Sequence, residues 1–305
     1  MKIALVADTY PPMNTSGAIQ LRDLAETLAK NHQVTVYATI DNWTGNNNPI
    51  TINGVTILRF RSFEKRNANQ LKRAISEFFT PYSVLWKSRK VLSESQFDGI
   101  ISYSPSIFLS PIAKFLKKRS DCSCYLIVRD IFPQWALDLG LISKGPAYWF
   151  LTFVAKRQYA VADIIGVQSA SNVTFIKKES DDKPIEVLHN WNSRTKDEGC
   201  RIKIAQTHLK GRKICVYAGN MGIAQDIELL LKLAKNMQSN KLIGFLFVGR
   251  GSLITQYKEY TNEHSLNNVL IEDEIQSSEI HGLLKQCDIG LVSLNRAHKT
   301  HNIPG

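Results

Sequence analysis

The stretch Val216–Leu231 constrains the fold of this chain more than any other part of its sequence. It begins with a short apolar run that shows little alternation, as in a strand covered on both faces. Two glycines, Gly219 and Gly222, then permit a tight turn and a close backbone approach. Beyond them apolar residues recur at helical spacing, and Asp226 and Glu228 lie in the first turns, where the helix dipole favours acids. The pattern predicts a buried strand, a glycine turn and a helix.

A helix that begins at such a turn directs its free backbone N–H groups above the sheet, which is the geometry of a phosphate site. An ordinary strand–helix turn without a ligand explains the same residues. Two similar junctions occur at Tyr10–Ala18 and Gly249–Ser252. None has the GxGxxG spacing of a dinucleotide binder or a P-loop. Together they suggest a diphosphate ligand between two domains.

The rest of the chain alternates predicted strands and helices, which is the βαβ rhythm of an open parallel sheet. A polar and charged stretch with few large apolar residues interrupts this rhythm. We therefore predict an N-terminal domain at 1–191, a linker at 192–212 and a second domain at 213–305. In the first domain we expect a polar loop at Asn42–Asn53 and a helix over Asn69–Glu94 that is interrupted at Pro81. In the second domain we expect a helix at Gln225–Met237 and four strands. The strands are Lys213–Ala218, Ile243–Val248, Val269–Ile271 and Ile289–Leu294, with the last beside the first as in the Rossmann order 3-2-1-4. Ligands of such sheets bind outside the carboxyl ends of the strands.

The start of the chain, Met1–Asp8, is too short an apolar run for a signal peptide, and no stretch reaches the roughly 18 apolar residues of a membrane helix. We therefore expect a cytoplasmic location. The five cysteines form no pair of CxxC units and the seven histidines no ligand spacing, so no metal is expected.

The net charge of +11 arises largely from basic residues between Arg59 and Lys90, with aromatic residues interleaved. Lys114, Lys117, Lys118 and Arg119 form a second cluster. A solvated helix face explains these charges about as well as a peripheral site on an anionic membrane. Nucleic acid is the weakest explanation, because no recognition motif accompanies the charge.

Five motifs carry a resemblance to a known family: Tyr10-Pro11-Pro12 with Gly17, Val128–Pro133, Tyr217–Gly222, Phe247–Ser252 and Ile303-Pro304-Gly305. Across its whole length the chain resembles the retaining glycosyltransferases of family four. The resemblance implies an α/β chain of the GT-B fold, with two Rossmann-like parallel-sheet domains facing a cleft. The forms of the second and third motifs look most like enzymes that add amino sugars, such as N-acetylfucosamine, to O-antigen or capsule repeat units.

The resemblance further implies a nucleotide-sugar donor, UDP-linked, and a polyprenyl-diphosphate-linked saccharide acceptor at the inner face of the membrane. No separate cofactor and no metal are expected. Arg129 and Asp130 would lie near the transferred sugar and act in catalysis. The expected donor-binding residues are Gly17, Ala18, Gly219, Asn220, Gly222, Gly249, Arg250, Gly251 and Glu272.

Two departures from the family pattern matter. Many members carry a cation just after the glycine turn, whereas this chain has Gly222–Gln225 there, so we expect Arg250 or Arg129 to supply the charge. The family also has, after an Ile-Pro-Gly-like turn, a helix with two glutamates that contact donor sugar and ribose. The chain stops at Gly305, before that helix. We therefore expect an incomplete second domain, with an unpaired strand edge at Ile289–Leu294, and no activity.

Three alternatives remain open at this point. The chain could be a catalytically dead remnant that acts only as a binding protein. A sugar-nucleotide epimerase shares the fold, but it would need a carboxylate and histidine set that the sequence does not supply. A dinucleotide oxidoreductase is disfavoured because the first glycine turn lacks GxGxxG.

Overall fold

The computed structural model describes residues 1–13, 15–40, 48–61, 70–88, 92, 95–180, 182–191 and 199–297, and in the first helix after residue 70 it describes side chains from Glu77 onward. Several sequence predictions lie outside these residues. They are the Ile303–Gly305 turn, the residues Lys65, Arg66, Arg89 and Lys90 of the basic segment, and the first part of the predicted linker.

The chain divides into two compact units, which comprise mainly Met1–Ser193 and Arg194–His298. Each unit has a sheet and a core of its own. The second part of the predicted linker, residues 199–212, packs into the second unit. Its apolar side chains Cys200, Ile202, Ile204 and Leu209 are buried there against the sheet.

The first unit contains an eight-stranded sheet in the order β3-β4-β2-β1-β5-β6-β7-β8. All neighbours pair in parallel except β3 and β4, which are antiparallel. Its elements are β1 Lys2–Ala7, α1 Ser16–Ala29, β2 Gln33–Ile40, β3 Ile50–Ile52, β4 Val55–Arg61, α2 Gln70–Lys87, β5 Gly99–Ser104, α3 Ser110–Ser120, β6 Ser123–Val128, α4 Gln134–Asp138, α5 Pro146–Val161, β7 Ile164–Val167, α6 Ala170–Lys177 and β8 Ile185–Val187.

The second unit contains a four-stranded parallel sheet in the order β11-β10-β9-β12. This arrangement confirms that the last strand neighbours the first strand of the unit. Its elements are β9 Lys213–Asn220, α7 Ile227–Asn236, β10 Ile243–Arg250, α8 Ile254–Glu263, β11 Val269–Asp273, α9 Ile280–Leu284 and β12 Ile289–Gly290.

Both sheets are buried on their two faces, which explains the apolar runs without alternation. In β1, Ala4 and Val6 face one cluster of buried side chains, whereas Leu5 and Ala7 face another. The second unit repeats this division at Cys215 and Tyr217 on one face of β9 and at Ile214 and Val216 on the other.

Three predicted elements differ from the observed ones. The strand expected at Ile289–Leu294 pairs with β9 only over Ile289–Gly290. The polar loop expected at 42–53 ends in strand β3, whose short and exposed sequence gives no apolar periodicity. Helix α2 continues through Pro81, where an interruption was expected. Within the described ranges, no helix is long and apolar enough to cross a bilayer.

An aspartate immediately before a strand ties that strand to its neighbour at three places. Asp98, Asp163 and Asp288 precede β5, β7 and β12. Each accepts a hydrogen bond through its carboxylate from a backbone N–H of the adjacent strand, at 2.6, 2.8 and 2.8 Å. Each also donates its own N–H to the carbonyl of that same neighbour. We call this two-way link the aspartate clamp.

The clamp at Asp163 also holds helix α3, because Lys117 Nζ lies 2.6 Å from Asp163 Oδ1. Partial burial raises the pKa of Asp163, but hydrogen bonds from Lys117 and the Cys124 N–H outweigh it, so the pKa lies below its ordinary value. A carboxyl with a lowered folded-state pKa stabilises the fold above its unfolded pKa, and this stabilisation is lost as the pH falls through the folded value.

We expect Asp163→Ala to lower the free energy of unfolding of the first unit by about 1–2 kcal/mol at neutral pH, since the clamp is partly exposed. The variant and the wild type should converge as the pH falls below about 4. Urea unfolding followed by tryptophan fluorescence measures this, because all five tryptophans lie in the first unit. Lys117→Met, which keeps the backbone link, should cost less. A loss that is independent of pH would contradict the clamp.

Candidate functional site

A cavity of about 330 Å³ lies in the first unit at the carboxyl edge of its sheet. Polar residues that end or follow neighbouring strands line it, as the parallel topology requires. Helix α1 contributes its first residues, and α2 contributes Glu77 and Thr80. The wall includes Asp8, Thr9, Thr15, Ser16, Gly17, Thr39, Glu77, Thr80, Tyr103, Ser106, Arg129 and Asp130.

The amino end of α1 forms one side of this cavity. The Thr15 hydroxyl caps the helix by accepting the Ala18 N–H at 3.2 Å, and it lies 2.9 Å from the Thr9 hydroxyl. Gly17 permits close packing, because a Cβ there would lie 3.1 Å from the Tyr103 hydroxyl. Ala18 is fully buried. Of the two expected donor-binding residues, Gly17 therefore reaches the cavity and Ala18 packs beneath it.

Arg129 is the central side chain of the cavity wall. It follows β6 and only 8% of it is exposed. Its guanidinium donates hydrogen bonds to the Gln20 amide oxygen, to the Tyr103 hydroxyl at 3.1 Å and to the Ser16 hydroxyl at 3.1 Å. These partners are neutral, so they satisfy the N–H groups without cancelling the charge. The cavity wall therefore carries a buried cation that can contact an anionic group, and it also carries the carboxylates of Asp8, Glu77 and Asp130.

Tyr103 connects this arginine to the acidic residues of the cavity. Burial raises the pKa of the Tyr103 hydroxyl, the charge of Arg129 lowers it, and the charges of Asp130 and Asp8 raise it further. The hydroxyl therefore stays protonated and accepts from Arg129. Asp130 lies on the cavity wall beside Arg129, as the sequence predicts for two residues that follow one strand.

Arg59 holds the loop that leads into α1. Its guanidinium donates to the carbonyl of Pro11 at 3.1 Å, and burial lowers its pKa from the ordinary value. Arg59 and Phe60 are both buried in β4. These two residues therefore cannot belong to an exposed basic and aromatic segment, which the sequence analysis took to begin at Arg59.

The glycines of the second unit meet at the backbone level. Strands β9 and β10 pair as far as Gly219 with Gly249 and Asn220 with Arg250. A Cβ on Gly249 would lie 1.8 Å from the Gly219 carbonyl oxygen, and one on Gly251 would lie 2.2 Å from that of Met221. Gly219 and Gly249 therefore lie in strands, where turns were expected. Because glycine has no Cβ, the backbones of β9 and β10 can come into contact at this end of the sheet.

The helix after Gly222 begins later than predicted. A single 3-10 turn at Ile223–Gln225 follows the glycine, and Asp226 then adopts a left-handed conformation before α7 begins at Ile227. The side chain of Asn220 donates to Gln225 Oε1 at 3.0 Å and so spans the turn. Helix α7 starts five residues after Gly222. The turn before it therefore presents backbone groups and the side-chain amides of Asn220 and Gln225.

Residues after β12 support this turn, and the sequence analysis did not identify them. The Asn295 N–H donates to the Ala224 carbonyl at 2.9 Å, and the Ser293 hydroxyl donates to that of Asp226 at 3.3 Å. Both contacts join residues far apart in sequence. No local pattern could have indicated them.

Two charged residues complete the expected donor-binding set. Arg250 Nη1 lies 3.1 Å from Glu274 Oε2, with both side chains partly exposed, so its charge is shared. Glu272 lies in β11 beside Val248 of β10 and is half-buried. All three strands β9, β10 and β11 therefore end with residues of the predicted set.

The structure thus places the predicted residues in two groups, one in each unit. Gly17, Arg129 and Asp130 line the first-unit cavity, and Ala18 packs beneath Gly17. The other seven residues gather at the carboxyl ends of the second sheet. Gln20 and Tyr103 could not be predicted as site residues, because their only sequence signal is a polar residue on an apolar helix or strand. Within the described residues, no group of three or more His, Cys, Asp or Glu side chains is arranged to hold a metal ion.

No protein-family model matches the chain. Two curated proteins are similar in sequence. WbjE of Pseudomonas aeruginosa, named a probable glycosyltransferase, is 24% identical over 76% of this chain. WcaI of Escherichia coli (strain K12), assigned by name to colanic acid biosynthesis as a glycosyl transferase, is 25% identical over 65%. This chain spans 59% and 51% of the lengths of these relatives.

Solved structures with the same fold cover nearly the whole chain. Sucrose-phosphate synthase from Thermosynechococcus elongatus is 13% identical, with a TM-score of 0.71 over 95% of this chain and 75% of its own. WaaG, a glycosyltransferase involved in lipopolysaccharide biosynthesis, is 12% identical, with a TM-score of 0.65 over 97% of this chain and 76% of its own. Anabaena Alr3699/HepE, solved with UDP and glucose, is 14% identical, with a TM-score of 0.64 over 96% of this chain and 74% of its own. The fold is that of the GT-B glycosyltransferases, which confirms the predicted α/β class.

We expect Arg129→Met to destabilise the first unit by about 2–4 kcal/mol, because it leaves three polar partners without their donor. Tyr103→Phe, which removes one of these bonds, should cost about 1 kcal/mol. Urea unfolding followed by tryptophan fluorescence compares the two. Lys144→Met removes an exposed charge from the same unit and serves as the control. If Arg129→Met were as stable as this control, the arginine would not organise the cavity.

Proposed function

We propose that this chain is part of a glycosyltransferase that moves a sugar from a nucleotide-sugar donor during the assembly of a bacterial surface polysaccharide. The observation that carries the proposal is its similarity to WbjE and WcaI over 76% and 65% of its length. Both names indicate glycosyl transfer, and one indicates a surface polysaccharide.

The second unit supplies features suited to a nucleotide diphosphate. Its sheet ends in the 3-10 turn Ile223–Gln225, close to Gly249 and Gly251, at which the backbone of β10 lies against the end of β9. The Gln225 N–H donates to the Gly222 carbonyl at 3.2 Å, so the proposal rests on the other N–H groups of the turn. Backbone groups at such a turn bind phosphate oxygens without a charged side chain. Anabaena Alr3699/HepE, a protein of the same fold that was solved with UDP and glucose and with UDP-glucose, supports this assignment.

The first unit supplies features suited to an acceptor. In this proposal Arg129 is the cation for an acceptor phosphate, and Asp130 contacts a sugar hydroxyl. The hydrogen-bond partners of Arg129 are neutral, while Asp8, Glu77 and Asp130 add carboxylates to the same cavity wall.

The finer parts of the proposal come from the family resemblance. The sugar is transferred with retention at its anomeric carbon, the donor is a UDP-sugar, and the acceptor is a polyprenyl-diphosphate-linked saccharide. The enzyme works at the inner face of an anionic membrane as a peripheral protein, and it needs no separate cofactor. The net charge of +11 supports binding to an anionic membrane surface.

Calorimetric titration with UDP tests the donor site. The chain should bind UDP, and Gly222→Val should weaken binding by about tenfold or more. The physical reason is that a Cβ at this position would lie 2.9 Å from Asn220 Nδ2 and 3.4 Å from Gln225 Oε1, so a branched side chain displaces the amide pair that spans the turn.

Gly290→Ala is the matched control, because a Cβ at Gly290 in the same sheet meets nothing within 4 Å. Its affinity for UDP should equal that of the wild type. A folded Gly222→Val protein with unchanged affinity would remove this turn from the site, and absence of UDP binding by the wild type would contradict the proposal for the second unit.

A further inference from the structure

Helices α2 and α5 of the first unit expose an unusual number of large aromatic side chains. Trp86 is 80% exposed, Trp149 61%, Phe79 57% and Phe153 56%. Tyr82 and Phe150 are also exposed. Monomeric proteins seldom leave large contiguous apolar patches in water, and those that they do expose are usually sites of interaction.

Phe78 connects exposed rings of the two helices. Its ring lies 5.4 Å from that of Phe150 on α5, and 5.3 and 5.7 Å from those of Phe79 and Tyr82 on α2. Helix α3 packs against both α2 and α5 and so continues the same surface. We call the six exposed rings and Phe78 the aromatic patch.

A basic groove borders the aromatic patch. It lies between α3 and α5, has a volume of about 390 Å³, and is lined by Lys114, Lys118 and Arg157. The guanidinium of Arg157 lies 5.8 Å from the centre of the Phe153 ring, so the groove and the patch meet at this pair. Within the described residues, neither Lys114 nor Lys118 takes part in a salt bridge, although Asp121 also lines the groove.

The spacing on α5 shows how the two chemistries are arranged. Trp149 and Phe153 are exposed one turn apart, and Arg157 follows at the next turn. The opposite face buries Leu151, Val154 and Ala155 in the core. The exposed stripe of α5 therefore changes from aromatic to cationic along the helix, whereas the buried stripe packs in the core. Aromatic rings beside basic side chains are typical of helices that lie in a membrane interface.

We propose that the aromatic patch and the basic groove dock the first unit onto an anionic lipid bilayer. The rings enter the interfacial layer, and Lys114, Lys118 and Arg157 contact lipid phosphates. Symmetric pairing of two copies through this surface would bring the grooves of both copies near each other and set like charges together. Single-stranded nucleic acid binds where rings line the basic groove, and no ring is among the described residues that line this one.

Helix α2 links this surface to the cavity. Its exposed face carries Phe79 and Trp86, and its inner face carries Glu77 and Thr80 on the cavity wall. Docking therefore holds the wall of the acceptor cavity at the bilayer, where a lipid-linked acceptor resides. This last step and the choice of a membrane rest on the proposed function, whereas the position of the docking surface follows from the exposed rings and the basic groove alone.

Co-sedimentation with vesicles tests the docking, with phosphatidylcholine alone compared with phosphatidylcholine mixed with phosphatidylglycerol. The chain should bind only the mixed vesicles appreciably, and salt should weaken the binding. Trp149→Ser with Phe153→Ser, and separately Lys114→Glu with Lys118→Glu, should each reduce partitioning by about tenfold or more. All four positions are exposed, and circular dichroism confirms the fold of each variant.

The matched control changes Lys241→Glu and Leu242→Ser, an exposed cation and an exposed apolar residue of the second unit. It should bind like the wild type. Equal binding by the control and both double variants would overturn the proposal. So would a wild type that ignores vesicles but forms dimers, or binds a single-stranded oligonucleotide, through Trp149 and Phe153. Vesicle binding needs no nucleotide, so its outcome is independent of the titration with UDP.

Discussion

The burial of the Arg129 guanidinium is the interaction on which the cavity of the first unit depends. A buried cation is costly unless its N–H groups are satisfied, and here residues of α1 and β5 satisfy them. The same contacts fix the start of α1 against β5 and β6. One side chain therefore sets the shape of the cavity and places a buried cation on a wall that also carries the carboxylates of Asp8, Glu77 and Asp130. Stability and ligand binding cannot be separated at this position by loss of activity alone.

In the second unit, contact between backbones fixes the carboxyl end of the sheet, where the first unit uses a charged side chain. Gly249 and Gly251 let the ends of β9 and β10 approach until no side chain fits between them. Met221 is fully buried between these ends and donates its N–H to the Arg250 carbonyl at 2.7 Å. The turn that follows is thereby held without a cation. This arrangement explains how the turn is fixed without a charged side chain.

The sequence predicts much of the fold, because parallel sheets require long apolar runs and glycine junctions. Its rhythm places β9, β10 and β11 correctly and makes the last strand a neighbour of β9. The helix start at Ile227 was missed because Asp226 adopts a left-handed conformation that few residues signal. Strand β3 was missed because three exposed residues carry no periodicity. The aspartate clamps were missed because each joins residues at least 39 positions apart.

The candidate site was only partly predictable for the same reason. Arg129 and Asp130 follow a strand and could be identified, whereas Gln20 and Tyr103 became recognisable only when long-range packing placed them beside the arginine. The basic segment was assigned by composition, yet Arg59 and Phe60 are buried in β4. The exposed rings of α5 give no distinct signal, since composition does not show which side of an apolar helix packs on the sheet.

The proposed function of the second unit is to hold a nucleotide sugar at the ends of β9, β10 and β11, and photo-crosslinking with 5-azido-UDP-glucose tests this most directly. Mass spectrometry should find the label on peptides that contain Asn220–Gln225, Gly249–Ser252 or Glu272, and excess UDP should abolish it. Label confined to the first unit, or label that excess UDP does not remove, would show that the second unit does not hold the donor.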